Sequence, residues 1–322
     1  MPFEADPSFD DLRESETMSF DTTETRPFPT GPRSAHRGFA NWLKTGILMA
    51  AMTALILVVG QLVGGARGML FAGAFAVVSN FVAFWFSDKL ALAVHGAKPI
   101  DRTQAAWLYE MVERLTRRAG LPMPKLYVIP SPAPNAFATG RSPSKAAVAV
   151  TEGILQILDR AELEGVLAHE LAHVRNRDTL ISTIAATIAG AISGIAHMMQ
   201  WAMIFGGGRS RDEEEGAGGV IGMLALIILA PLAAMILQLA LSRSREFGAD
   251  ATGASICGNP MALASALEKL ERGTQRIPDD RHPATAPLFI VNPLSGKSVS
   301  RLFSTHPPTE ERVKRLRAMR SY

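Results

Sequence analysis

Four long stretches of this chain carry no Asp, Glu, Lys or Arg: Thr45–Ala66 with 22 residues, Met69–Ser87 with 19, Leu180–Gly208 with 29 and Gly216–Ser242 with 27. An α-helix rises ~1.5 Å per residue, so ~20 apolar residues cross a ~30 Å hydrocarbon core. All four are long enough, and the last two exceed what a buried core helix needs. Four transmembrane helices in two hairpins, over 39–87 and 179–242, are therefore expected. The second pair is less lipid-like, since it contains Gly190, Gly194, His197, Pro231 and Gln238. There, Gly190-x-x-x-Gly194 reads as close helix packing. This concentration explains how a chain with 20% charged residues has a mean hydropathy of +0.14.

The charges between these stretches give them a direction. Arg33, Arg37 and Lys44 precede the first span, Lys89 and Lys98 follow the second, and only Arg67 lies in the Gly64–Gly68 turn between them. Basic residues stay cytoplasmic, which puts the N-terminus and residues 88–178 in the cytoplasm. Residues 1–38 read as a disordered acidic tail, with eight acids and one base between Glu4 and Glu24 and then a Pro/Gly-rich stretch. Acids where a basic segment should be exclude a signal peptide. The single Cys257 has no intrachain partner, which fits a reducing compartment, and it reads as an ordinary small apolar residue. A net charge of +3 is too small to argue for nucleic acid.

What lies outside the membrane reads as α+β, mainly helical with a small sheet, split into 88–178 and 243–322 by the second hairpin. Asp101–Ala119 has helical periodicity and stops at Gly120. Lys125–Ile129, Ala136–Thr139 and Ala146–Val150 are short β-type runs. Asp159 with Glu162 is a capping box that opens a helix to about Asn176. Pro260–Arg272 and Pro308–Arg320 read as amphipathic helices.

The capped helix contains His169-Glu170-Leu171-Ala172-His173. Two histidines at i and i+4 lie on one helical face within reach of a single ion, and neutral imidazole suits Zn²⁺. Glu170 borders that face, where it can take a proton from an ion-bound water. This is the metalloprotease pattern, with solvated helical histidines as the plain alternative. A third ligand must come from elsewhere. If the second hairpin goes out and returns, it brings Ser242–Asp250 back to the membrane face that His173 left. Glu246 would then supply the third ligand, or else pair with Arg243 or Arg245 at the surface. Asp250, four residues on, could accept the free ring N–H of a zinc-bound histidine.

Together with Asn135–Gly140 and His306-Pro307-Pro308-Thr309, these elements resemble the HtpX family of membrane-bound zinc endopeptidases, relatives of the CAAX prenyl endopeptidases, over roughly residues 39–320. The resemblance implies a gluzincin-type fold with one Zn²⁺ per chain, held by His169, His173 and Glu246, and Glu170 as catalytic base. It further implies a multi-pass protein of the bacterial inner membrane whose active site faces the cytoplasm and clears misfolded or damaged membrane proteins. The long acidic N-terminal tail departs from the pattern. Asn135, at the start of an edge strand that would pair with extended substrate, could hold the scissile region or its oxyanion, or be a turn residue after Pro134. His306 could donate to the oxyanion, or simply enter the last helix. Two other functions stay open here: an idle, metal-stabilised membrane scaffold, and a peptidase for lipid-modified C-termini. Expected partners are the lipid bilayer and membrane-protein substrates. No nucleotide is expected, because Gly296-Lys297-Ser298 has Val291 where a P-loop needs its first Gly.

Overall fold

A computed structural model describes residues 32–188, 243–294 and 307–319. The tail before residue 32, the apolar chain from 189 to 242 and His306 lie outside the described residues.

The first element, α1 (Pro32–Val94), is a 63-residue helical run. It doubles back on itself: Asn80 Nδ2 donates to Thr53 Oγ1 at 2.7 Å, and Gly60 lies against Gly68 and Ala72. A straight helix would hold residues 53 and 80 ~40 Å apart. The reversal falls at Gly65, whose φ of +57° suits a residue without Cβ. The helical run begins at Pro32, within the expected tail of 1–38. Proline is tolerated in a first helical turn, and helix propagates readily from an established apolar arm. The returning arm, Gly65–Val94, has 30 residues, and its most apolar 18-residue window has a mean hydropathy of 1.9, so it is long and apolar enough to cross a membrane. Leu70, Phe71, Val77 and Val78 each leave 60–76% of their surface uncovered by protein, as a lipid-facing helix requires. Near its end, Lys89 lies 5.5 Å above the Phe86 ring and the Arg141 guanidinium 4.2 Å above Trp85. Basic groups thus stack on aromatic rings at this end of the arm.

After α1 comes a four-stranded sheet of order β1-β2-β4-β3, formed by β1 (Lys98–Pro99), β2 (Lys125–Ile129), β3 (Ala136–Thr139) and β4 (Ala147–Thr151). The β2–β4 pair is parallel and the other two are antiparallel. Side chains alternate between the two faces of a strand. Val148 and Val150 therefore join the main core on one face, while Ala147 and Ala149 join a smaller cluster with Phe137, Leu92 and Phe289 on the other.

The main core packs this sheet against helices. These are α2 (Ala106–Ala119), the short α3 (Glu152–Ile157), α4 (Arg160–Asn176), α6 (Arg243–Cys257), α7 (Pro260–Arg276) and α8 (Thr309–Arg317). Between α4 and α6 the described chain also includes α5 (Thr179–Ile188), the first turns of the third apolar stretch. Thr179 Oγ1 donates to the Gly140 carbonyl at 2.8 Å, which ties the start of α5 to the end of β3. The helix α4 is central, packing on α6, α7, α2 and β3. Its capping box forms as expected: Asp159 accepts from Glu162 N–H at 2.9 Å, and the Glu162 carboxylate accepts from Asp159 N–H at 3.0 Å. The β-type run expected at Ala146–Val150 is shifted by one residue, and the helix expected from Asp101 starts at Ala106.

Candidate active site

On α4, His169 and His173 stand one turn apart with both Nε2 atoms turned to one point, 3.2 Å from each other. The third group arrives on α6, whose first turn contains Glu246. The approach depends on Gly253, two turns further along α6. A Cβ there would stand 2.8 Å from the Cα and N of His169, so only glycine lets the helices touch at this level. Glu246 is 3% exposed, which removes it from the surface. Its Oε2 lies 3.8 Å from His169 Nε2 and its Oε1 3.7 Å from His173 Nε2.

These separations carry chemical information. Ligands ~2.0–2.1 Å from a tetrahedral zinc are separated by ~3.4 Å along each edge. The two imidazole nitrogens are 3.2 Å apart, near one such edge, and the carboxylate approaches each of them through a different oxygen, at 3.8 and 3.7 Å, so the three side chains converge closely enough to share one ion. Among the described residues, His169, His173 and Glu246 form the only such group of donors. The residues therefore fit a metal ion with three protein ligands and room for a fourth.

The surroundings hold each donor in place. His169 Nδ1 lies 3.0 Å from Asp250 Oδ1, off the line of an ideal ring N–H bond. Burial keeps its pKa low, at about 4, so the ring is neutral as a metal ligand must be. Asp250 is itself gripped by Arg312 on α8, whose Nε and Nη2 donate to the two carboxylate oxygens at 2.8 and 2.7 Å. Burial opposes ionisation of Asp250, but Arg312 outweighs it and holds the carboxyl well below the usual range. For His173 burial likewise disfavours charge, yet Glu246 and Asp178 prevail and raise the ring to about 9. A metal binding there must displace that proton. Asp178 Oδ2 lies 3.3 Å from His173 Nδ1. It reaches this place because Arg177 ends α4 in the left-handed region at φ 59°.

Glu170 points toward β3, where its Oε2 accepts the Ala138 N–H at 2.8 Å. Burial lifts its carboxyl to about 8, against the pull of His173. It lines a single cavity with His169, His173, Glu246 and Asp178.

Comparison with known proteins gives the chain's family. Residues 102–320 match Peptidase family M48, a span that includes all of these groups. A "Protease HtpX homolog" of Desulforapulum autotrophicum is 57% identical over 86% of this chain and 89% of its own length. Another, of Syntrophobacter fumaroxidans, is 54% identical over 86% of this chain and 98% of its own. The chain belongs to the HtpX branch of peptidase family M48. A further M48 relative of the same description, from Thermococcus sibiricus, is 50% identical over 87% of this chain and 96% of its own. The crystal structure of S. mikatae Ste24p aligns with 88% of this chain and 67% of that one, at 19% identity and a TM-score of 0.45.

Within this M48 site the structure brings together His169, Glu170, His173, Glu246 and Asp250. It does not bring Asn135 into the cavity. The Asn135 amide donates from Nδ2 to the Val291 carbonyl at 2.9 Å, and its Oδ1 accepts the Ala136 N–H at 3.1 Å. Nor is the edge of β3 open, since Ile290 N–H donates to the Ala136 carbonyl at 3.2 Å. Sequence reasoning missed Asp178, Arg312 and Gly253. An Asp five residues past the second histidine and a Gly seven residues past the acidic ligand were the available signals. Arg312 gave none.

Proposed function

We propose that the chain is a membrane-anchored zinc endopeptidase that cleaves misfolded or damaged membrane proteins at the cytoplasmic face of the bacterial inner membrane. The observation that carries this is the convergence of His169, His173 and Glu246 on one point with Glu170 beside it. Two nitrogens and one oxygen with an open fourth place are the donor set of a catalytic zinc, whereas a structural zinc takes four protein ligands. That, with the adjacent base, counts against the idle scaffold. Bound there, zinc supplies Lewis acidity, polarising a scissile carbonyl and bringing water toward a pKa of ~7.

The chain's own residues supply the rest. Ala138 N–H fixes the Glu170 carboxylate so that its other oxygen is free to take a proton from water in the cavity. A carboxyl raised by burial holds that proton firmly enough to pass it to the leaving amine. Asp178 and Asp250 fix the two imidazole rings through their Nδ1 atoms. Membrane anchoring supports the choice of substrate: Arg141, stacked on Trp85, follows the end of β3 by two residues, so the cleft adjoins the bilayer boundary. His306, by the resemblance, would donate to the developing oxyanion.

Casein hydrolysis and self-cleavage in detergent test the proposal. Wild type should cleave, and Glu170→Gln should keep its metal and lose cleavage. Equal rates would remove the enzyme reading.

A further inference from the structure

The cavity around Glu170 and the three donors has a volume of about 20 Å³, space for roughly one water and far too little for a peptide. One wall of it is the chain's own segment Leu288–Val291, which begins at the last residue of a short 3-10 turn over Pro283–Leu288. Leu288, Phe289 and Ile290 line the cavity opposite the donors. The segment sits where an incoming chain would need to lie, against the outer edge of β3. Ile290 N–H donates to the Ala136 carbonyl, and the Val291 carbonyl accepts from Asn135. Main-chain bonding to a sheet edge with side chains in alternate pockets is how extended peptides are recognised.

The Phe289 ring occupies one such pocket. It stands edge-on to Phe137 at 5.4 Å and to His95 at 5.0 Å, and is 5% exposed. His95 also holds the turn before it. Thr285 Oγ1 gives its own proton to the His282 carbonyl at 2.8 Å, so it accepts from His95 Nε2 at 2.9 Å. This pocket is built from the end of α1 (Ala91, Leu92), the sheet (Ile129, Phe137) and Ala186 of α5.

We infer that Leu288–Val291 is a built-in occupant of the substrate cleft, and that substrates are extended apolar segments that displace it from β3. The inference rests on the peptidase reading above. The displaced bonds are those a substrate backbone would make with Ala136 and Asn135, and the vacated pocket takes a large apolar or aromatic side chain. The segment is also held by Arg312, whose Nη1 donates to the Ile290 carbonyl at 2.7 Å. Displacement therefore removes one bond from the group that supports Asp250.

Hydrogen exchange on the zinc-loaded, detergent-solubilised wild type tests this directly. Without inhibitor, the Ile290 amide should be protected. Saturation with a Phe-containing peptidyl hydroxamate should speed its exchange at least several-fold. Protection unchanged under the bound hydroxamate would show a fixed wall and overturn the inference. In parallel, Ile290→Pro, which lacks the donated N–H, should cleave a quenched peptide containing Leu-Phe-Ile-Val several-fold faster than wild type at unchanged zinc content. Both should prefer it over a polar peptide of equal length. A folded variant cleaving at the wild-type rate, or equal cleavage of the two peptides, would count against the inference. Absence of cleavage by wild type itself would instead sink the peptidase reading.

Discussion

Single buried side chains decide how firmly the site is held, and Arg312 is the clearest case. At 1% exposure it forms a bidentate pair with Asp250 and bonds the Ile290 carbonyl, linking the last helix to a metal-ligand support and to the cleft. Removing one member of a buried pair leaves the other charge uncompensated, at a cost of ~3–5 kcal/mol. Arg312→Ala should lower stability by about that much in urea melts and weaken zinc retention, while Arg312→Lys should rescue only part, lacking the two-pronged fork. Glu162 offers a pH test away from the metal. Burial disfavours its charge, but bonds from Lys269 Nζ and Ser265 Oγ, each 2.7 Å, outweigh that and lower its pKa. A carboxyl depressed in the folded state stabilises above its unfolded pKa and loses that contribution as pH falls through the folded value. The melting-temperature gap between wild type and Glu162→Gln should thus be widest near neutral pH and close on acidification below the ordinary carboxylate range. A gap that grows in acid would reverse the sign of the coupling.

Between helices, the contact of α4 with α6 sets the spacing of the three donors. Gly253→Ala puts a methyl group within 2.8 Å of His169 backbone, where no flexible side chain can yield. Overpacking of this kind costs ~1–3 kcal/mol. The variant should melt earlier and lose zinc more readily to a chelator, whereas Gly46→Ala, with open space around it, should do neither. At the other end of α4, Asp159→Ala removes the capping side chain and should cost ~1 kcal/mol, with faster amide exchange confined to the first turn. These elements differ in how legible they were. The capping box, the β-type runs at 125–129 and 136–139 and the helix ending at Gly120 are written in local chemistry, so the sequence reads true there. Arg312 sits in an amphipathic helix where arginine normally faces water, and its partner is 62 positions away. The Leu288–Val291 segment is a short apolar run after Pro287, indistinguishable in sequence from a buried loop. The bond it makes to β3 lies far upstream, so no periodicity could announce it. Asn135, a candidate to hold the scissile region or its oxyanion, donates instead to the protein's own main chain at Val291.

For the whole molecule, the membrane arrangement expected of the first apolar hairpin is testable. If the first hairpin spans the membrane with residues 88–178 in the cytoplasm, Arg67 and Lys98 emerge on opposite sides. In a Cys257→Ala background, Arg67→Cys in intact spheroplasts should react with an impermeant maleimide, and Lys98→Cys only after permeabilisation. Labelling of both from one side would contradict the spanning hairpin. The central claim is narrower, that two imidazoles on α4 and a carboxylate carried back on α6 meet on one catalytic ion. Zinc content and peptide cleavage measured on the same purified samples test it most directly. Wild type should hold about one zinc per chain and cleave, Glu170→Gln should hold the same zinc without cleaving, and Glu246→Ala should lose both. Full zinc occupancy and undiminished cleavage in Glu246→Ala would contradict it.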